Sequence, residues 1–455
     1  MNPLAILFFF GCAGALLAVE RRHAPVPLLV GACYMTMGQG IHLGPFSLPV
    51  YRMLLATGLL RVLLRGETLA GPLNRVDKLM LAWAGWTFFA SFFHNAEAGS
   101  GPIFTSGILF NLVLVYFLLR VWCRDLPEVL GVIRVVAVLL LPVALEMVFE
   151  KVTSKNLFAV FGGVPSTTLA RAGRLRAQGP FRHPILAGTV GAACIPLFVA
   201  LWSRDRVRMV IGIVAGLLMV LASASSGPVL SVIVGVGALL AWKVRGWTRV
   251  FRWGALAAYV LLAMVMSKPP YYLIGRIDLA GGSTGWHRSF LIDQTLHYFS
   301  EWWLFGTDYT RHWMPDQGIG SGNPNQTDIT NYFISFAILG GLVSLGLVLG
   351  MLWTAFRWVG RCYRVELLRS PADAFPVWCL GAGLFAQVAS GISVSYFDQS
   401  LVFFWLNVAV ISSAFSAVRQ TPAKLPPPPP DSPEAEPEPV PTSAGGHPDL
   451  HVYPW

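Results

Sequence analysis

Pro102-Ile-Phe-Thr-Ser-Gly-Ile-Leu-Phe-Asn-Leu-Val-Leu-Val-Tyr-Phe-Leu-Leu-Arg-Val121 decides the fold. The run is about 20 residues long, so as an α-helix it rises about 30 Å, the thickness of a bilayer's hydrocarbon core. Its only charge is Arg120, at the far end. Polar and apolar residues do not alternate in it, as they would in a membrane barrel strand. Comparable blocks fill the chain: Pro3 to Val19, Ala24 to Leu43, Phe46 to Leu64, Leu79 to His94, Val129 to Phe149, Pro184 to Trp202 and Val207 to Ala222. Val229 to Trp242, Trp253 to Met266, Ile329 to Phe356, Phe375 to Ser395 and Leu401 to Val418 complete the set. Over the whole chain 55% of residues are hydrophobic and only 12% are charged, whereas soluble domains carry about a quarter charged residues. The expected fold is therefore all-α, a polytopic transmembrane bundle of about 12 to 13 helices.

The loops between these blocks sort by charge. Arg21-Arg22, Arg65 to Lys78, Arg120 to Arg124, Arg204 to Arg208, Lys243 to Arg252 and Arg357 to Arg369 fall on one side, with Arg419 and Lys424 of the tail. Lys and Arg favour the cytoplasmic side, so these loops are expected there, in a bacterial inner membrane. The first block has its basic pair after it rather than before it, which favours a retained first helix over a signal peptide. Past Val418, the proline run Pro426 to Pro430 and the acidic residues Asp431, Glu434, Glu436 and Glu438 predict a disordered cytoplasmic tail over 419–455.

Two loops oppose the charge rule. Glu150 to His183 and Ser267 to Asp328 are expected outside, yet they carry Lys151, Lys155, Arg171, Arg174, Arg176, Arg182, Lys268, Arg276, Arg288 and Arg311. Two explanations fit: an anionic ligand retains the charge, or long exterior loops translocate regardless of it. In the first loop, Pro184 suits the first position of a helix, so its arginines stand beside free amide donors, an arrangement for phosphate oxygens or lipid head groups. In the second, Gly282-Ser-Thr-Gly-Trp-His-Arg-Ser-Phe-Leu-Ile-Asp-Gln-Thr-Leu-His297 reads as a helix capped by Ser283 or Thr284, with His287, Leu291 and Thr295 on one face. Trp302 and Trp303 fit an interfacial aromatic belt, and Asp316 with Gly318 to Asn325 reads as a flexible loop able to close over a substrate. Arg52, about two turns inside its block, is costly unless paired or facing a wet cavity, whereas Arg134 can snorkel. The six cysteines show no disulfide or zinc spacing, the histidines and carboxylates no metal motif, and the glycines no nucleotide-binding fingerprint, so no metal or cofactor is expected.

Arg176-Ala-Gln-Gly-Pro-Phe-Arg-His-Pro-Ile-Leu-Ala-Gly188 resembles the loop-to-helix motif of the O-antigen ligase and polymerase superfamily. Ser223-Ala-Ser-Ser-Gly-Pro-Val-Leu230 is similar to its Ser-rich turn between helices, and Trp286-His-Arg-Ser-Phe290, Trp303-Leu-Phe-Gly306 and Asp328-Ile-Thr-Asn-Tyr-Phe333 through Leu339-Gly-Gly341 resemble its later markers. The resemblance covers roughly Ala24 to Val418. It implies a C-type membrane glycosyltransferase architecture and a metal-independent transfer of glycan from a polyprenyl-diphosphate donor to a glycan or lipid acceptor at the exterior face. Other polysaccharide-assembly proteins would be partners, and nucleic acid would not. By motif position Arg176 and Arg288 would hold the diphosphate, supported by Arg182 and Arg311; Arg174, Arg52 and Asn331 are further candidates for binding the substrate. His287, His312 and Asp328 are the candidate bases. Two departures stand out: Thr330-Asn331 where ligases often have His-Asn, and Ser226 where an arginine is common. The first favours a polymerase of exopolysaccharide or O-antigen repeat units over a ligase. A flippase or transporter remains open as a non-enzymatic reading, although such proteins place polar residues at the membrane midplane and here they gather in loops.

Overall fold

The computed structural model describes residues 1–44, 46–94, 101–171, 173–276, 285–315 and 325–420. The expected cap residues Ser283 and Thr284, Asp316 with most of the flexible stretch after it, and the Pro-rich tail lie outside the described residues. Fifteen helices and two small hairpins make up the rest. The helices are α1 (Pro3–Ala18), α2 (Pro25–Tyr34), α3 (Val50–Arg65), α4 (Arg75–Ala90), α5 (Pro102–Trp122), α6 (Leu126–Thr153), α7 (Pro184–Val199), α8 (Arg206–Ser223), α9 (Ser226–Leu240) and α10 (Thr248–Val265). After them come α11 (Gly285–His297), α12 (Phe299–Trp302), α13 (Tyr332–Arg369), α14 (Pro371–Gly391) and α15 (Ser400–Gln420). Strands β1 (Gly40–Leu43) and β2 (Phe46–Pro49) form one antiparallel hairpin, and β3 (Leu169–Arg171) and β4 (Arg174–Arg176) the other.

Among the described residues, seven helical stretches are long and apolar enough to cross a membrane, including Ser226–Val265 taken as one. Large side chains such as Leu7, Phe10, Leu63, Val207, Met264 and Val265 face outward on helices, an apolar exterior that only lipid covers without cost. The chain is a helical membrane protein. The number of such long helices is below the expected dozen or more spans because several helices are short. At 16 residues, α1, α3, α4 and α7 rise about 24 Å each, less than the hydrocarbon core.

Other departures have local causes. The apolar block Ala24 to Leu43 stops being helix at Tyr34, and Gly40 to Pro49 pairs as the first hairpin instead. A Cβ on Gly40 would lie 2.6 Å from the Leu48 carbonyl oxygen, so the close strand pairing depends on that glycine. Arg357 to Arg369, expected as a loop, continues α13. Trp302, expected at an interface, is buried, and its indole donates to the Thr295 carbonyl at 2.8 Å. Every residue from Arg249 to Val265 on α10 is exposed, so this helix stands clear of the core.

The helix α13 is broken at Gly340–Gly341, where φ/ψ are −170°/33° and 67°/−162°. Trp303-Leu-Phe-Gly306 is inserted at the break: the Leu342 amide donates to the Trp303 carbonyl at 2.8 Å and the Thr307 amide to the Ile338 carbonyl at 2.9 Å. The Phe305 ring stacks on Phe93 at 4.0 Å, and the Trp86 indole donates to the Gly340 carbonyl at 2.7 Å. A Cβ on Gly306, where φ is +83°, would overlap the Ile338 carbonyl oxygen, and one on Gly341 would overlap that of Leu304. Gly306→Ala is therefore expected to cost at least ~1–3 kcal/mol from its left-handed backbone alone. A lowered melting temperature in detergent checks this, and unchanged melting would show that the loop can leave the break at no cost.

Candidate functional site

Hydrogen bonds hold each of the two basic loops to neighbouring elements, and their arginines lie within electrostatic reach of one another. The α6 carboxylate Glu150 accepts the Gln178 and Gly179 amides at 2.9 and 2.8 Å through Oε2, holding the turn before Pro180. Gly179 itself has φ +56°, which that turn requires. One helical turn earlier, Glu146 accepts the Leu157 amide at 2.9 Å. Pro184 opens α7 as expected, and His183 caps it, its Nδ1 accepting from the Ile185 amide at 3.2 Å. With Nδ1 accepting, the neutral ring carries its proton on Nε2.

The second hairpin sets the arginines. In β4, Arg174 is exposed and Arg176 is turned inward, 9% exposed. Arg176 donates from Nη2 to Ser225 Oγ at 2.7 Å and from Nε to the Ser223 carbonyl at 3.4 Å. Two of the expected motifs, the arginine loop and the Ser-rich turn, thus meet directly. Arg288, on α11, donates from Nε to the Ser393 carbonyl at 2.9 Å, next to the turn between α14 and α15. Burial, then Arg171 and Arg288, push the Arg176 guanidinium below its ordinary value, and burial and Arg171 do the same to Arg288. Two arginines of the first loop and one of the second therefore share one field. His183 lies in it too: burial first, then Arg176 and Arg171, push its imidazole down to about 4, so it is neutral at pH 7.

Not every expected residue joins this group. His287 is buried, as is the rest of its face, Leu291 and Thr295. Burial lowers its ionisation, and Asp328, within electrostatic reach, opposes that. Asp328 acts on Arg288 as well. His312 belongs elsewhere: its Nε2 meets Glu301 Oε1 at 3.0 Å and its ring stacks on Tyr309. Arg311 donates to the Pro315 carbonyl at 3.2 Å. Asn331 caps α13, its Oδ1 accepting the Phe333 and Ile334 amides at 2.9 and 3.2 Å. Arg52 sits in the first turn of α3, not two turns in, and donates to Asn111 Oδ1 at 3.0 Å and the Ser47 carbonyl at 2.7 Å. Arg182 pairs with Asp398 at 3.7 Å. Arg134, read as snorkelling, faces Asp205 at 3.6 Å.

Sequence reasoning missed Arg171 as a member of the group, and missed Glu150 and Asp398. The alternation Arg174, Arg176 across a short apolar residue was a signal for the hairpin, but three-residue strands are too short to register by pattern. Among the described residues no three His, Cys, Asp or Glu side chains come together as a metal-binding group. What the arrangement can do chemically is hold a multivalent anion. Guanidinium forks and a neutral imidazole N–H share one field, and the groups fixing Arg176 are neutral oxygens; the first amides of α7, expected to be free, are taken up by His183 instead. No family model matches this chain, and no curated protein matches its sequence.

Proposed function

We propose that the chain polymerises polyprenyl-diphosphate-linked oligosaccharide repeat units of an exopolysaccharide or O-antigen at the exterior face of the inner membrane. The observation that supports this best is the convergence of Arg171, Arg176 and Arg288, which share one field although they come from two loops and from separate elements. In glycosyl transfer from such a donor, negative charge grows on the diphosphate as its bond to the anomeric carbon breaks. Fixed cations at a membrane surface, in partly desolvated positions, stabilise that charge without reorganising. The loops' resistance to the charge rule has the same explanation. On this reading the bundle is of the C-type glycosyltransferase kind, and the shorter helices cross the membrane beside the seven long ones.

The test is the lipid-linked pool in cells lacking the gene. Single lipid-linked repeat units are expected to accumulate, because polymerisation is the step that consumes them. Full-length polymer left on its lipid carrier would identify a ligase instead. Retention of single units on the cytoplasmic leaflet would identify a transporter.

A further inference from the structure

Next to the arginine group is a second set of polar side chains, around the turn that joins α14 to α15. Three of its oxygen-bearing groups have no hydrogen-bond partner: the Tyr51 phenol, Asp398 Oδ2 and Gln399 Oε1. Tyr51 and Gln399 are each 1% exposed. A buried polar atom left unpartnered costs about 1–3 kcal/mol, so groups of this kind ordinarily meet something. Tyr51 and Arg52 both lie within electrostatic reach of Asp398, and Gln399 is the next residue along the chain. Gln399 is held rigidly, its Nε2 donating to the Met35 carbonyl at 2.8 Å and to the Pro180 carbonyl at 3.2 Å. Asp398 has a left-handed φ of 51°, a conformation that aspartate tolerates better than most residues. At 3.7 Å its contact with Arg182 is an ion pair but too long for a hydrogen bond.

The chemistry of these atoms selects the ligand. A carboxylate oxygen and a side-chain amide oxygen only accept hydrogen bonds, so whatever satisfies them must donate. A phosphate oxygen does not donate, and a metal ion is opposed by Arg52 and Arg182. A ligand bearing several hydroxyls meets every requirement, donating to Asp398 and Gln399 and accepting from Tyr51 or a guanidinium. The set is also continuous with the arginine group: Arg182 lies on the loop that carries Arg176, and Arg288 is bonded to Ser393 in the turn that carries Asp398.

We propose that Tyr51, Asp398 and Gln399, flanked by Arg52 and Arg182, seat the hydroxyl-bearing sugar of the acceptor, and that Asp398 takes its proton. This rests on the glycosyl-transfer reading above. In the step, the acceptor's hydroxyl oxygen forms a bond to the anomeric carbon of the donor. The bond from that carbon to the diphosphate oxygen breaks, and its electron pair leaves with the lipid diphosphate. The hydroxyl proton passes to the Asp398 carboxylate. Burial raises the Asp398 carboxyl above the ordinary range, with Arg182 and Arg52 opposing, which makes it a better proton acceptor than an exposed aspartate. Arg182, which the resemblance assigns to the diphosphate, and Arg52, a further candidate for the anion site, are on this view turned to the acceptor.

The experiment uses the full-length protein in vesicles, with lipid-linked oligosaccharides extracted from cells lacking the gene as both donor and acceptor, and product length read on gels. Asp398→Ala is expected to lower transfer by on the order of a hundredfold or more, the usual contribution of a positioned base, and added formate to restore on the order of tenfold as a substitute proton acceptor. Formate should leave Arg288→Ala unimproved, since that variant lacks a cation rather than a base. Asp398→Asn, which keeps the shape and an acceptor oxygen for Arg182, covers the case in which the alanine variant fails to fold, and is expected to show the same loss. Asp398 variants with near wild-type transfer while Arg288→Ala is inactive would overturn the acceptor seat alone. So would a well-folded, inactive Asp398→Ala that formate does not move. Wild-type protein that neither transfers the oligosaccharide nor binds it better than Arg176→Ala and Arg288→Ala would remove the glycosyl-transfer reading and this inference together.

Discussion

Replacing Arg288 by alanine is expected to lower glycan transfer by on the order of a hundredfold or more, the effect of removing one preorganised donor from a developing anion. The reason is geometric. Arg288 is fixed by its Nε bond to the Ser393 carbonyl, which leaves the rest of the guanidinium fork for a ligand. Arg176 is fixed in the same manner by Ser225 and Ser223, so Arg176→Ala is expected to fall in the same direction. Burial first, and then neighbouring arginines, lower both of these guanidiniums. A partly desolvated cation beside other cations favours an anion as its partner. Lysine at either position keeps the charge but loses the planar fork, and should restore activity only in part. Transfer rates in vesicles, with melting temperature measured on each variant, check this. Two folded alanine variants with near wild-type rates would sink the anion site.

The residues of that site were legible because the sequence broke a rule: arginines stood where topology disfavours them, next to a proline that starts a helix. Which of them meet was not legible, since Arg171 enters through a hairpin of three-residue strands and Arg288 through a contact with a turn more than a hundred residues away. The helices were legible wherever an apolar run was long. The first hairpin was not, because its residues are as apolar as a helix and only its glycines distinguish it. The break in α13 shows a further limit. Leu339-Gly-Gly341 was visible as a marker, yet the block was read as one unbroken span. Nothing local says that Trp303-Leu-Phe-Gly306 will insert there, because the two segments fit each other and neither requires the break alone.

Charge at the opposite end of the bundle misled the reading in a different way, and its correction carries the largest expected loss of stability. Arg120, counted among loop arginines, is fully buried and paired with Asp77, also fully buried, at 3.1 Å. Asp77 additionally accepts from the Tyr116 hydroxyl at 2.6 Å and the Asn74 amide at 2.9 Å. Arg120 reaches Ser413 and Ser416, both at 3.3 Å, so the cluster ties α4, α5 and α15 together. Removing one partner of a buried pair strands the other charge, and Asp77→Ala is expected to cost about 3–5 kcal/mol. Replacing both with apolar residues of similar size strands no charge, although the Asn74 amide and the Tyr116 hydroxyl lose Asp77 as acceptor, so Asp77→Leu combined with Arg120→Met should be more stable than Asp77→Ala by part of that amount. The comparison separates a stranded charge from lost packing: if the double variant melts no higher than Asp77→Ala, the cluster's worth lies in its shape and hydroxyl network and not in the pairing of its charges. Melting in detergent, with the yield of folded protein from membranes, measures both. Neither variant touches the arginine end, so any double variant recovered in folded form should transfer glycan at close to the wild-type rate.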